Sequence, residues 1–443
     1  MLASKSLVQR RLASAAAAHS SPLVGAVETK VTRLPNGLSV ASIETNGPVS
    51  SLVLAYRAGS RYQQPDENGL VHHLRNNFGK DSASYLGLKL LWQLGSVGGN
   101  VTASHGKDFL AVQTNVIRDG SAVAVSVLGE LAKPALKPWD VEEATETLPV
   151  DLTVQQPFDV VVDLVHRAAY RNGPLANSVN ARPHEVGKIS VKQLEAFSAS
   201  RLVSGEAVLL GVNVEHSDLL GYAQAQNVIS EGRGKDAVPS PYLGGDARTV
   251  GPSSIAHVVI AGEGAGLKDT KAVAVQRVLA ALVGQTAEVK FSGSAGSGVV
   301  GATVQKAANQ RPVGISAVDV NHSETGLAGV YVVVEGQYAE PVVRAAFDGL
   351  KKIASGVETA VFEAAKANAK LNTLLALENP ASLALETAAD VLVNATVTSP
   401  LDFAAEISKV SVEDVKKAAQ KIVQKPSVAA YGRVNQVPYV DQL

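Results

Sequence analysis

Gly69-Leu70-Val71-His72-His73-Leu74-Arg75-Asn76-Asn77-Phe78 is the stretch on which the reading of this chain turns. It follows an alternating strand, Ser51–Arg57, and a loop, and the segment predicts a helix from about Asn68. Inverted zinc peptidases carry H-x-x-E-H at such a place, because residues four apart on a helix face one metal. The glutamate between the histidines takes a proton from the metal-bound water. With His72 in the first position, the base position holds Arg75 and the second ligand position holds Asn76. A guanidinium accepts no proton and repels a dication, and a carboxamide is a poor zinc ligand. His73 is no substitute, since adjacent helical side chains project about 100° apart. The motif at His72, Arg75 and Asn76 is therefore degenerate, and we expect no catalytic, metal-binding or cofactor-binding residue in this chain.

Outward from this helix, the same order of elements occurs twice. Upstream, Asn36-Gly37 supplies the turn of a hairpin between Lys30–Leu34 and Leu38–Ile43. Downstream come a leucine-rich helix at Leu86–Leu94, Gly98-Gly99, and strands at Asn100–His105 and Phe109–Val116. A helix from Gly120 to Lys133, further helices around 140–170 and at 190–201, and the apolar strand Ala207–Val212 complete the first copy. The second begins near Ile255, with a strand at His257–Ala261 and a helix from about Lys268 to Leu282. Strands Val313–Val320 and Leu327–Glu335, helix Pro341–Ala354, helical segments through 357–396 and strand Val428–Tyr431 follow.

Two local matches make this a duplication. Lys188-Ile189-Ser190-Val191-Lys192-Gln193-Leu194 parallels Lys409-Val410-Ser411-Val412-Glu413-Asp414-Val415, an offset of 221 residues. Each places a serine where its hydroxyl caps a helix. His105 and His322 stand at equivalent turns with an offset of 217. Residues 230–254, rich in Gly, Pro and Asp, read as a linker. The expected fold class is α+β, with two duplicated domains, each a mostly antiparallel sheet with helices packed on one face.

Composition narrows the function. Of 443 residues, 46% are hydrophobic and 18% charged, against roughly 25% charged in an average domain. The net charge of −1 supplies no basic field for nucleic acid. With 0 cysteines the chain has no disulfide, thiolate-bound cluster or cysteine nucleophile. Residues 1–27 hold Lys5, Arg10 and Arg11 and no acid, which reads as a mitochondrial transit peptide. Without them the body has 37 basic and 41 acidic residues. No uncharged apolar run reaches the ~18–20 residues of a membrane span.

The order of hairpin, strand, Tyr56-Arg57-Ala58-Gly59-Ser60-Arg61-Tyr62-Gln63, degenerate helix, Val97-Gly98-Gly99 and strand pair resembles the pitrilysin-type processing-peptidase superfamily. Ala169-Tyr170-Arg171-Asn172 and Leu175-Ala176-Asn177-Ser178 are similar to the non-catalytic core subunits of the mitochondrial ubiquinol–cytochrome c reductase complex. The resemblance runs from about residue 28 to the C-terminus. It implies an N-terminal peptidase-like domain at 28–229, the linker, and a C-terminal one at 255–443. It also implies a peripheral place on the matrix side of the inner membrane, beside a related core subunit and the cytochrome b, cytochrome c1 and iron–sulfur subunits of a dimeric complex. Haem and the iron–sulfur cluster are then expected in those partners. In active relatives a downstream helix gives a third zinc ligand, a glutamate; that position falls near Pro149, with Glu142, Glu143, Glu146 and Asp151 close by.

Ser292–Gly301 contains a formal G-x-G-x-x-G at Gly296, Gly298 and Gly301, but it follows a predicted helix and a loop. A dinucleotide site needs that turn between a strand and its helix, so a surface loop is expected. By resemblance, the α subunit of the processing peptidase uses a glycine-rich loop here to handle presequences. His166, His184, His216 and His257 have no spaced partners and read as structural or surface residues.

Overall fold

The computed structural model of the chain describes residues 28–225, 229–286, 297–309 and 311–443. The expected transit peptide and residues 292–296 of the glycine-rich stretch lie outside the described residues.

The first half opens with the hairpin β1 (Glu28–Arg33) and β2 (Ser39–Glu44), then β3 (Val49–Tyr56). Helices α1 (Leu70–Asn77) and α2 (Gly87–Ser96) lead to the strand pair β4 (Asn100–His105) and β5 (Leu110–Ile117). There follow α3 (Ser121–Leu131), α4 (Pro138–Val154), α5 (Pro157–Tyr170), α6 (Val191–Arg201), β6 (Ala207–Val212) and α7 (His216–Ala225). The second half runs through β7 (Asp246–Val250), β8 (Ile255–Gly264), α8 (Thr270–Val283), α9 (Val299–Ala308), β9 (Val313–Asn321) and β10 (Gly326–Glu335). It ends with α10 (Ala339–Ser355), α11 (Thr359–Ala376), α12 (Pro380–Asn394), α13 (Pro400–Lys409), α14 (Val412–Gln424) and β11 (Ser427–Gly432).

The six-stranded sheet has the order β1-β2-β6-β3-β5-β4, and the five-stranded sheet β7-β11-β8-β10-β9. The second order repeats β2-β6-β3-β5-β4 strand for strand, including one parallel pair, β2 with β6 and β7 with β11. Ser190 and Ser411 each close a capping box, with Gln193 and Asp414. Each box satisfies two helix-end donors.

Three expectations need correction. Residues 246–250 of the expected linker form β7, the counterpart of β2, so the second copy starts before Ile255. His105 pairs across its turn with Leu110 and Asn321 with Gly326, so the counterpart of His105 is Asn321, one residue before His322. The glycine-rich stretch does not end as a loop: Val299 begins α9, which packs on α10. Gly298 (φ +92°) is needed there, because a Cβ would collide with the Val283 carbonyl oxygen at the end of α8.

Each half's own helices cover one face of its sheet, and the opposite face is covered by a helix from the other half. Leu383, Ala384, Ala388, Val391 and Leu392 of α12 pack on Ile43, Val53, Val208, Leu210 and Val212 of the first sheet. Val161, Leu164, Val165 and Ala169 of α5 pack on Val259, Ala261, Leu327 and Ala429 of the second. Cover on both sides explains why β6 is buried at every position and reads as a continuous apolar run. Burying each large apolar side chain contributes about 1.5–3 kcal/mol, so the exchanged helices join the halves firmly.

Candidate functional site

The degenerate motif sits on α1, opposite α4. Asp151, near the end of α4, is the carboxylate that reaches it, two residues beyond the expected Pro149; Glu142, Glu143 and Glu146 do not contact it. A single oxygen of Asp151, Oδ2, accepts from all three motif positions: His72 Nε2 at 3.2 Å, Arg75 Nη1 at 2.9 Å and Asn76 Nδ2 at 2.9 Å. Arg75 also donates to the Ala103 carbonyl of β4, and Asn76 to the Thr147 hydroxyl. Burial pushes the Asp151 carboxyl up, but the Asn76 hydrogen bond and the Arg75 charge outweigh it and hold it below the usual carboxylate range. The cation of this site is thus part of the chain.

Zinc does not fit these residues. The backbone N–H of Ala181 donates to His72 Nδ1 at 3.2 Å. Burial lowers the His72 pKa, so the ring is neutral and its one proton sits on Nε2, facing Asp151. The nitrogen that faces the site therefore has no lone pair for a metal. His73 points elsewhere, donating to the Gly69 carbonyl and accepting from the Gly187 amide. His105 stacks on His72 with ring centroids 5.1 Å apart and donates to Asn180, and burial drives its pKa down to about 3. Among the described residues no group of three His, Asp or Glu side chains is arranged to hold a metal.

A second polar cluster, which the sequence reading missed, lies where the halves meet. Gly59 lets the end of β3 approach the β4–β5 turn so closely that a Cβ would collide with the Lys107 carbonyl oxygen. This seats Arg61, 3% exposed, beside Asp108 at 2.6 Å and the second half's Ser323 and Glu324 at 2.7 and 2.8 Å. His322 faces Asp108 Oδ2 through Nδ1 at 2.6 Å and His166 Nε2 through its own Nε2 at 2.9 Å. His166 donates through Nδ1 to the Val162 carbonyl, and burial drives its pKa well down, so its Nε2 is an acceptor. His322 thus bridges the Asp108 carboxylate of the first half and His166 of α5. Burial pushes the Asp108 carboxyl up, yet the hydrogen bond and charge of His322 and the Arg61 guanidinium hold it below the usual range. Tyr170 of α5 adds a hydrogen bond to the Gly326 carbonyl. His166, read as a structural or surface residue, is buried in this clasp. His184 and His257 do not reach it; His257 bonds Tyr331, and His216 bonds Thr32 and Ser42.

The two sheets share one strand order and exchange helices across the seam, and the motif helix stands at the same place in the first half as α8 in the second. Residues 39–182 match the family described as Insulinase (Peptidase family M16). Over its length the chain is similar to cytochrome b-c1 complex subunit 2 of Rattus norvegicus, 29% identical over 421 residues that cover 94% of this chain and 92% of that one. It is also similar to the probable mitochondrial-processing peptidase subunit alpha-1 of Arabidopsis thaliana, 27% identical with 95% and 86% covered. Among solved structures, a chain of complex III2 from Candida albicans, Inz-5 bound, superposes with a TM-score of 0.81 at 20% identity, over 93% of this chain and 98% of that one. No helix among the described residues is long and apolar enough to cross a membrane.

Proposed function

We propose that this chain is a non-catalytic structural core subunit of the mitochondrial ubiquinol–cytochrome c reductase complex, respiratory complex III. The observation that carries the loss of catalysis is the convergence of His72, Arg75 and Asn76 on Asp151, with a guanidinium and a carboxamide where a base and a second zinc ligand would stand. Similarity to cytochrome b-c1 complex subunit 2, across nearly the whole of both chains, supports the assignment as core protein 2. The role is mechanical: a rigid two-half body, peripheral on the matrix side of the inner membrane. It holds core protein 1 and the cytochrome b, cytochrome c1 and iron–sulfur subunits together while they move electrons from ubiquinol to cytochrome c. The chain itself carries no cofactor; haem and the iron–sulfur cluster belong to those partners. Residues 28–229 and 255–443 form the two peptidase-like domains, with β7 belonging to the second.

Similarity to processing-peptidase α subunits sustains a second reading, a presequence-handling partner of a catalytic β subunit. Mild-detergent extraction followed by native separation decides between them. The proposal expects this chain with haem-containing subunits; a soluble heterodimer that cleaves presequences would overturn it. Metal analysis of the purified chain should show no stoichiometric zinc, and zinc lost on His72→Ala would contradict the reading of the motif.

A further inference from the structure

The chain has two tryptophans, and both are on the surface: Trp92 is 70% exposed and Trp139 64%. Tryptophan is highly buried on average, so two exposed ones call for a cause. They belong to one region. Asp81 accepts from the Gly87 amide at the start of α2 and from Lys137 Nζ, and Lys137 lies 5.8 Å from the centre of the Trp139 ring. On α2, Leu90 and Leu94 face the core, while Leu88, Leu91 and Trp92 face outward, with Leu86 just before the helix.

The duplication supplies an internal control. The counterpart of α2 is α9, which follows the corresponding helix and precedes the corresponding strand. Its outward residues are Ala302, Gln305 and Lys306, an ordinary solvated face. The frame therefore does not require an apolar exterior on α2.

The charges are segregated. Lys89 is the only charged side chain on α2, and it lies over the Tyr85 ring at 5.7 Å. On α4, next to Trp139, Glu142 and Glu146 are exposed, while Glu143 pairs with Lys80 at 2.8 Å. An anionic lipid surface would be repelled by those glutamates. A protein face with an apolar recess, a carboxylate toward α2 and a basic group toward α4 complements both sides, and exposed tryptophans are typical anchors for such recesses.

We propose that Trp92 and Trp139 anchor a neighbouring protein subunit on the outer face of α2 and the start of α4. The proposal rests on the assignment of the chain to a multi-subunit assembly. Hydroxyl-radical footprinting of both tryptophans, in the isolated chain and in the native detergent-extracted assembly, tests it. Several-fold protection in the assembly is expected, together with loss of Trp92→Ser/Trp139→Ser from the assembly at unchanged thermal stability. Oxidation at the free-chain rate within a haem-containing assembly overturns the proposal and leaves the functional assignment standing. Absence of the chain from any such assembly overturns both. Because all tryptophan emission comes from this patch, quenching by vesicles of brominated anionic lipid would instead assign it to lipid and overturn the proposal.

Discussion

In the first half, Asp151 on α4 reaches across to Arg75 and Asn76 on α1 and closes the gap between the two helices. In the second half, the equivalent gap between α8, β9 and α11 is a cleft of about 840 Å³. Among its described residues the ion pair is Arg277 with Asp319 at 2.8 Å, which joins α8 to the strand. From α11 the cleft receives uncharged residues, Asn368, Asn372 and Thr373 among them; α12 adds the carboxylates of Glu386 and Asp390, and α13, which has no counterpart in the first half, adds Phe403 to its wall. The frame tolerates either state. What closes the gap is an opposite charge on the facing helix, and Arg75 supplies the cation that a dication supplies at an intact motif. The arrangement at Asp151 braces the first half internally, where the second half keeps its cleft open.

The largest effect should come from the seam between the halves. Asp108→Ala removes the buried carboxylate that Arg61 and His322 share and leaves Arg61 only the part-exposed Glu324; breaking a buried pair this way costs about 3–5 kcal/mol. Urea unfolding should show that loss, and limited proteolysis should become faster at residues 235–245, where the connection crosses the seam. Next comes the exchanged helix. Leu383→Ala removes a side chain that is 5% exposed against the first sheet, and such truncations cost about 2–4 kcal/mol. Hydrogen exchange should report the damage in β3 and β6, although the substitution lies in the second half. Protection lost only in the second sheet would break the reciprocal-cover account.

Acid should also act mainly on the first half. Burial lowers the pKa values of His72, His73 and His166, and takes His105 down to about 3. Each of these rings is neutral when folded but takes a proton near pH 6.5 when unfolded. Their contribution is therefore complete above about pH 6.5 and is lost as pH falls toward the folded values. For His105 alone the loss by pH 5 is on the order of 1–2 kcal/mol, at 1.36 kcal/mol per unit. Thermal unfolding should weaken between pH 7 and 5 with net proton uptake, and His105→Gln should flatten that slope.

These effects separate what is local in the sequence from what is not. The strands, the hairpin at Asn36-Gly37 and the two serine-capped helices were legible, because each is written within a few neighbouring residues. Strand β7 was hidden by its Gly/Pro-rich surroundings and its five-residue length. The apolar face of α5 or α12 announces burial but not which sheet it covers, so the exchange was invisible. At the motif, Arg75 and Asn76 in the base and second-ligand positions were plain, whereas the facing carboxylate required a helical register that slipped from Pro149 to Asp151. The seam was least legible, because Asp108 and His322 are separated by 214 residues.

The smallest effects test the comparison itself. Asp151→Ala removes a half-exposed partner of Arg75, an interaction worth about 0.2–1 kcal/mol by itself. It also leaves the buried Nε2 proton of His72 without its acceptor, which adds about 1–3 kcal/mol. Because the lost bonds link α1 to α4, hydrogen exchange should quicken in both helices. Arg277→Ala breaks a pair of similar length, but Asp319 keeps its bond from Gln276, and no charge on α11 is involved. Its cost should stay within about 1 kcal/mol, and α11 should exchange at its original rate. Equal spreading to α4 and α11 would mean that the open cleft is braced by something other than charge across the gap.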